Sequence, residues 1–181
     1  MKQAKLFIAM SLDGYIADSN GAVDWLGGHG SDDDSENSDV YAEFVKDIDT
    51  VLMGWKTYDQ ITHELSPNDW VYKDLTTYVI THRNCTSSDM IKFTNQNPID
   101  LVKGLKKEEG KDIWICGGAN LIQQLIDEDM IDTYYITVIP VILGSGVRLF
   151  GNESREIPLK LLKTQSYNGM TDLIYTRRMK V

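Results

Sequence analysis

The chain is short of cysteine, of positive charge and of long apolar runs, and each shortage removes a class of explanation. Its 181 residues include two cysteines, Cys85 and Cys116, with no CxxC spacing. Such a pair reads as two reduced thiols rather than as a disulfide frame. His29, His63 and His82 form neither an HExxH pattern nor a ligand pair, so no metal site is expected. Lys and Arg number 18 against 27 Asp and Glu, a net charge of −9. That balance argues against nucleic acid and anionic membrane surfaces as partners, since both select a basic face. A few cations placed locally can still hold an anionic ligand. After Lys2 and Lys5 only "LFIAM" precedes Ser11 and Asp13, too short for a signal segment or a transmembrane span. The expectation is a cytoplasmic protein forming a single domain over residues 1–181.

Some chemical signatures are missing as well. No GxGxxG follows the first strand, and "GSGVRL" (144–149) has the wrong third position. The hydrolase elbow GxSxG is absent. The segment "GGHGSDDDSENSD" (27–39) is glycine-rich, then acidic, and reads as a loop. Its consecutive Asp32, Asp33 and Asp34 do not have the alternating spacing of a calcium loop.

What is present is an alternation of strands and helices. "KLFIAM" (5–10), "TVLM" (50–53), "TYVI" (77–80) and "DIWIC" (112–116) read as strands buried on both faces. Tyr41, Phe44, Val45 and Ile48 form a helical stripe, as do Leu121, Ile122, Leu125 and Ile126. Asn97-Pro98 is an N-cap and first-turn pair for a helix that Gly110 closes. Towards the C-terminus, "YYITVIPVIL" (134–143) is strand-like, with a break at Pro140. Asn168-Gly169 sits between two strand-like runs and suits a tight hairpin. The sum is an open α/β sheet, parallel in its centre, with an antiparallel pair at the C-terminal end.

Four strand-to-helix turns carry the chemistry, because ligands of open α/β sheets sit beyond the carboxyl ends of the strands. "MGWKTY" (53–58) offers Gly54 for the turn, then Lys56 and Thr57 at a helix start, a combination suited to phosphate. "CGGANL" (116–121) repeats the arrangement with Gly117, Gly118 and Asn120. "THR" (81–83) adds a hydroxyl, an imidazole and a guanidinium. "AMSLDGYIA" (9–17) is the fourth turn, in which Asp13 before Gly14 reads as a loop-fixing carboxylate. Two anion-ready helix starts suggest a ligand with two phosphate centres.

In this order the four turns resemble the dihydrofolate reductase-like superfamily, including the reductase domain of riboflavin biosynthesis, from about Leu6 to Phe150. "SLDGYIA" is similar to its first active-site loop, "MGWKTY" to its MGRxT(Y/W), and "GGANL" to its Gly-Gly helix start. "PVILGSGVRLF" resembles a stretch of its smaller bacterial members. The resemblance implies a three-layer fold, with helices on both faces of a mostly parallel sheet and an antiparallel C-terminal hairpin. It also implies NADPH across the carboxyl edge. Gly117, Gly118, Asn120 and Leu121 would approach the pyrophosphate, and Gly54, Lys56 and Thr57 the adenosine-side phosphates. Thr81, His82 and Arg83 would read the 2′-phosphate, and Ala9 and Ile16 would border the nicotinamide.

Departures from the family are as informative. Trp55 stands where arginine is frequent, and Cys116 where the riboflavin reductase usually has Glu. The acid that dihydrofolate reductases carry on their first helix has Asp39 as its nearest counterpart, either as a catalytic group or as the N-cap of the helix from Val40. The resemblance implies a reductase of a small, heterocyclic or carbonyl-bearing molecule. Trp25 and the 27–39 loop would cover this substrate, and Tyr41, Phe44 and Thr137 would line its pocket, unless Trp25, Tyr41 and Phe44 serve as core. Alternatives are a folate or ribosylaminopyrimidine reductase and, outside enzymes, an NADP-binding sensor or scaffold. Relatives suggest a homodimer, through the C-terminal strands.

Overall fold

The computed structural model describes residues 1–27, 39–151 and 155–178. Its strands are β1 (Ala4–Ser11), β2 (Tyr15–Ala17), β3 (Ile48–Gly54), β4 (Thr76–Ile80), β5 (Ile91–Thr94), β6 (Asp112–Gly117), β7 (Thr133–Ile139), β8 (Val147–Arg148), β9 (Leu159–Tyr167) and β10 (Met170–Arg177). Its α-helices are α1 (Val40–Lys46), α2 (Trp55–Gln60), α3 (Pro98–Lys106) and α4 (Ala119–Asp127). A 3₁₀ turn covers Asp24–Gly27, and a wide π turn, Ile61–Leu65, continues from α2.

Eight strands form one sheet in the order β5-β4-β3-β6-β1-β7-β10-β9. The pairs from β5 through β7 are parallel, and β10 runs antiparallel to both β7 and β9. Parallel strands need both faces covered, and two cores do this. On one face Leu101, Val102 and Leu105 of α3 and Leu121, Ile122 and Leu125 of α4 pack against Leu6, Leu52 and Ile115. On the other, Phe44 of α1 and Ile61 pack with Val51, Met53, Val79 and Trp114. Leu6, Leu52 and Ile115 have no exposed surface, so truncating any one to alanine costs about 2–5 kcal/mol.

Several local expectations are realised in detail. The Asn97 side chain accepts from the Ile99 N–H at 2.9 Å and the Asp100 N–H at 3.4 Å, with Pro98 in the first turn of α3. Asn168 (φ 47°) and Gly169 (φ 72°) both adopt the left-handed torsions of a two-residue turn between β9 and β10. β7 stops one residue before Pro140.

Two boundaries differ. Ile48 is the first residue of β3, not the last of the helical stripe, because α1 ends at Lys46. Helix α3 ends at Lys106. Gly110 instead serves the following turn, where it holds φ +133° against the Asp49 side chain.

The two edges of the sheet differ electrically. At the amino edge cations are neutralised: Lys2 pairs with Asp49 and Lys5 with Asp112, both at 2.7 Å. At the carboxyl edge, Lys56 and Arg83 have no carboxylate partner among the described residues. Among the described residues, positive charge without a carboxylate partner thus lies at the edge where the conspicuous turns are.

Candidate active site

β4, β3, β6 and β1 are consecutive in the sheet, so the turns after Ile80, Gly54, Gly117 and Ser11 emerge side by side. They wall a cleft of about 1040 Å³. Ala9, Ile16, Gly54, Lys56, Thr57, His82, Gly117, Gly118, Asn120 and Leu121 all line it, which brings ten of the sequence-predicted positions onto one surface. The described lining contains no Asp or Glu. In a chain of net charge −9, that is the composition of an anion site.

Each glycine has its own local reason. Gly117 holds φ +146°, a torsion that side chains avoid. The Gly117–Gly118 peptide is cis. Gly118 is extended (φ −87°, ψ −170°), a conformation open to any residue, and a Cβ there would meet only Thr57 Oγ1, at 3.4 Å. The lack of a side chain at 118 therefore serves the open space above it rather than the fold. Gly118 is also the N-cap position of α4 and supplies no side-chain cap, so the first N–H groups of that nine-residue helix open onto the cleft.

A second, polar depression of about 280 Å³ adjoins the cleft and shares His82 and Asn95 with it. Thr81 and Arg83 line this one. Thr81 is 7% exposed and its hydroxyl accepts the Arg83 N–H at 3.0 Å, so it shapes the loop from within. The Arg83 guanidinium lies over the Trp55 ring, 4.6 Å from its centroid. Trp55 thus carries an arginine on its face, a contact of about 0.5–1 kcal/mol where exposed.

Asp13 fixes the first loop. Its carboxylate accepts from the Ser11 hydroxyl at 2.6 Å and from the Gly144 and Leu143 N–H groups at 2.7 and 3.1 Å. The Ser11 bond, with the two backbone donors, lowers its pKa to about 2. The motif is a clamp between residues 11–14 and the 143–144 turn, and Asp13 does not line the cleft.

The positions expected to meet the substrate need correction. Phe44 is 3% exposed and packs on Phe7, Trp114 and Tyr135, with ring centroids 4.7–5.6 Å away. It is core. Tyr41 flanks the same cluster, 5.8 Å from Phe7 and 5.9 Å from Trp114, with its outer side in solvent. Neither lines the cleft. Trp25 folds its indole N–H onto the Ala22 carbonyl at 3.2 Å, while its neighbours Val23 and Leu26 form the wall. Thr137 is buried and donates to Asp172 Oδ1 at 2.6 Å, one strand away from Ala9. Asp39 is exposed, makes no side-chain capping bond to α1 and is not among the lining residues. Asp39 does occupy the N-cap position of α1, where its backbone carbonyl accepts the Glu43 N–H at 2.8 Å, while the catalytic role has no contact with the described lining. The proposed cover from residues 28–38 lies outside the described residues.

Two polar side chains in the cleft were not predicted as a unit. Tyr72 Oη lies 3.8 Å from Cys116 Sγ, and both line the apolar part of the cavity with Val23, Leu26, Ile61 and Leu65. Burial pushes the Cys116 thiol up to about 11 and raises the Tyr72 phenol as well, so both are neutral near pH 7. Tyr72 sits in an irregular stretch with no motif, so only the folded geometry finds it.

Comparison with known proteins agrees with this architecture. A family model described as the RibD C-terminal domain matches residues 4–174. The chain is 38% identical over 177 residues to the uncharacterized protein YwjB of Bacillus subtilis (strain 168), covering 97% of this chain and 98% of that protein. It also resembles the crystal structure of a protein from Shewanella sp. PV-4 provisionally assigned to riboflavin biosynthesis, with a TM-score of 0.82, 28% identity and coverage of 98% and 99%. Dihydrofolate reductase from Enterococcus faecalis, solved with NADP(H), shares the fold at a TM-score of 0.62 and 15% identity, over 98% of this chain and 97% of that one.

Proposed function

The chain belongs to the RibD C-terminal domain family, and on that premise we propose that it is an NADPH-dependent reductase of a small, heterocyclic or carbonyl-bearing molecule. One observation carries the reading. Four adjacent strand ends form a cleft around Lys56, Thr57 and the bare backbone of Gly118, and its described lining holds no carboxylate.

The residues present fit the cofactor. Gly118 leaves space that a methyl group would enter, beside α4 N–H groups without a side-chain cap. Lys56 and Thr57 would hold phosphate oxygens, and Arg83 and His82 the 2′-phosphate next to Trp55. Ala9 and Ile16, both apolar, would border the ring that reacts. NADPH, when bound, supplies the hydride. The protein's part is to align the partners at van der Waals contact and to exclude water from the apolar walls.

The site gives less support to a folate or ribosylaminopyrimidine substrate. This chain has Cys116 where the resemblance leads to an acid before the double glycine, and Asp39 is not among the described residues that line the cleft. Assembly as a homodimer belongs to the same proposal. β9 forms one edge of the sheet and exposes Leu161 and Leu162 at 50% and 53%. No helix among the described residues is long and apolar enough to cross a membrane.

The test is NADPH oxidation by the purified protein across a panel of pterins, flavin precursors and carbonyl compounds. Turnover of a panel member supports the reading. Tight nucleotide binding with no turnover would instead favour a binding protein.

A further inference from the structure

We infer that the substrate is an uncharged, largely apolar carbonyl compound and that the Tyr72 hydroxyl donates the proton its oxygen requires. This rests on the reductase reading above and adds to it a substrate class and a catalytic residue.

Charge decides the class. Among the described residues lining the cleft, the cationic side chains are Lys56 and, when protonated, His82. Both belong to the strand-end turns assigned to the nucleotide. Among the described residues, a substrate phosphate would therefore meet no cationic side chain beyond those assigned to the nucleotide, which disfavours a phosphorylated substrate. The remaining wall is Ala9, Val23, Leu26, Ile61 and Leu65, surfaces suited to an apolar body.

Geometry decides the donor. Away from Lys56 and His82, the titratable groups among the described lining residues are Tyr72 and Cys116. The Tyr72 ring stands edge-on to Trp114 and to Trp70, with centroids at 5.0 and 5.4 Å, which fixes the direction of its hydroxyl. Cys116 Sγ at 3.8 Å is the second restraint on that hydroxyl, making Cys116 a positioning residue. In the reaction the carbonyl carbon gains a hydride as NADPH becomes NADP⁺, and the C=O π pair moves onto oxygen. That oxygen takes the proton from Tyr72 Oη, and the tyrosinate regains one from water. A phenol kept neutral by burial still carries its proton when the carbonyl oxygen takes up charge, and the nascent alkoxide is the base that receives it.

The probe is 9,10-phenanthrenequinone, an uncharged aromatic dione, set against a pyrimidine bearing ribose 5-phosphate. Binding is read from tryptophan fluorescence with and without NADP⁺, because Trp114 abuts Tyr72. Turnover is read from NADPH oxidation in H₂O and D₂O. The dione should bind and be reduced, with a solvent isotope effect, and the phosphorylated pyrimidine should do neither. Tyr72→Phe should keep its NADPH affinity within about twofold of the parent and lose about 100-fold in kcat with the dione, together with the isotope effect. Cys116→Ser, which keeps a hydrogen-bonding group, should lose less than about tenfold. If Tyr72→Phe retains kcat within about threefold, or the phosphorylated pyrimidine is preferred, the inference is overturned. NADPH bound with the dione neither bound nor reduced overturns it alone. Failure to bind NADPH overturns the reductase reading and this inference with it.

Discussion

Replacing Gly118 by alanine separates a glycine kept for the fold from one kept for a ligand. The backbone at 118 has φ −87° and ψ −170°, which alanine adopts freely, and the new methyl group meets only Thr57 Oγ1, at 3.4 Å. That is ordinary van der Waals contact. Reduced freedom of the unfolded chain favours alanine by about 0.4–1 kcal/mol. The net change in stability should thus be small, and for a domain of this size the melting temperature should move by less than about 4 °C. Binding should respond differently. The methyl group projects into the cleft where a phosphate would approach the first N–H groups of α4. Losing one charge-assisted hydrogen bond costs about 1.5–3 kcal/mol, so the dissociation constant for NADPH should rise about 10- to 100-fold. Thermal melts and a fluorescence titration on the same preparation read both quantities. A variant that melts normally and binds NADPH as tightly as the parent would refute the assignment of the space over Gly118. A variant that loses more than about 10 °C would show that the glycine is structural after all.

Other outcomes follow from the neighbouring groups. Arg83→Gln removes the guanidinium over Trp55 and should weaken NADPH binding about tenfold or more while leaving NADH nearly unaffected, as competitive titrations would show. In a Cys85→Ser background, alkylation of Cys116 by iodoacetamide should keep accelerating with pH up to about 11, since burial holds the thiol protonated. A plateau near pH 9 would contradict this. For Asp13 the folded pKa is depressed to about 2, below its unfolded value. Its contribution is therefore complete above about pH 4 and lost as pH falls towards 2. Asp13→Asn should remove that acid-dependent step from a pH-melting series.

The parts of this molecule legible in the sequence are those governed by local chemistry. Asn97-Pro98 announced the start of α3 because a cap and a fixed φ need only their nearest neighbours. Asn168-Gly169 announced the hairpin for the same reason. The four turns were visible because a strand run followed by glycine and polar residues is local too. What stayed open was which way a side chain faces. Tyr41 and Phe44 have the same periodicity whether a helix points at a core or at a substrate, and Phe44 turned out to be core. Ile48 matched the helical stripe yet begins β3, because the strand's pairing with β6 overrides a two-residue extension of α1. The short strands β2 and β8 exist through partners distant in sequence, as the pairing of Tyr15 with Arg148 shows. The Tyr72–Cys116 contact, 44 positions apart, was invisible for that reason.

The central claim is that the carboxyl edge of this sheet holds a phosphorylated nicotinamide nucleotide. The most direct measurement is a side-by-side titration of the purified protein with NADPH and NADH. The account predicts saturable binding of both, with NADPH tighter by about tenfold or more because Arg83 and His82 meet the extra phosphate. Equal affinities would remove the role given to those two residues, and no binding of either nucleotide would contradict the account at its root.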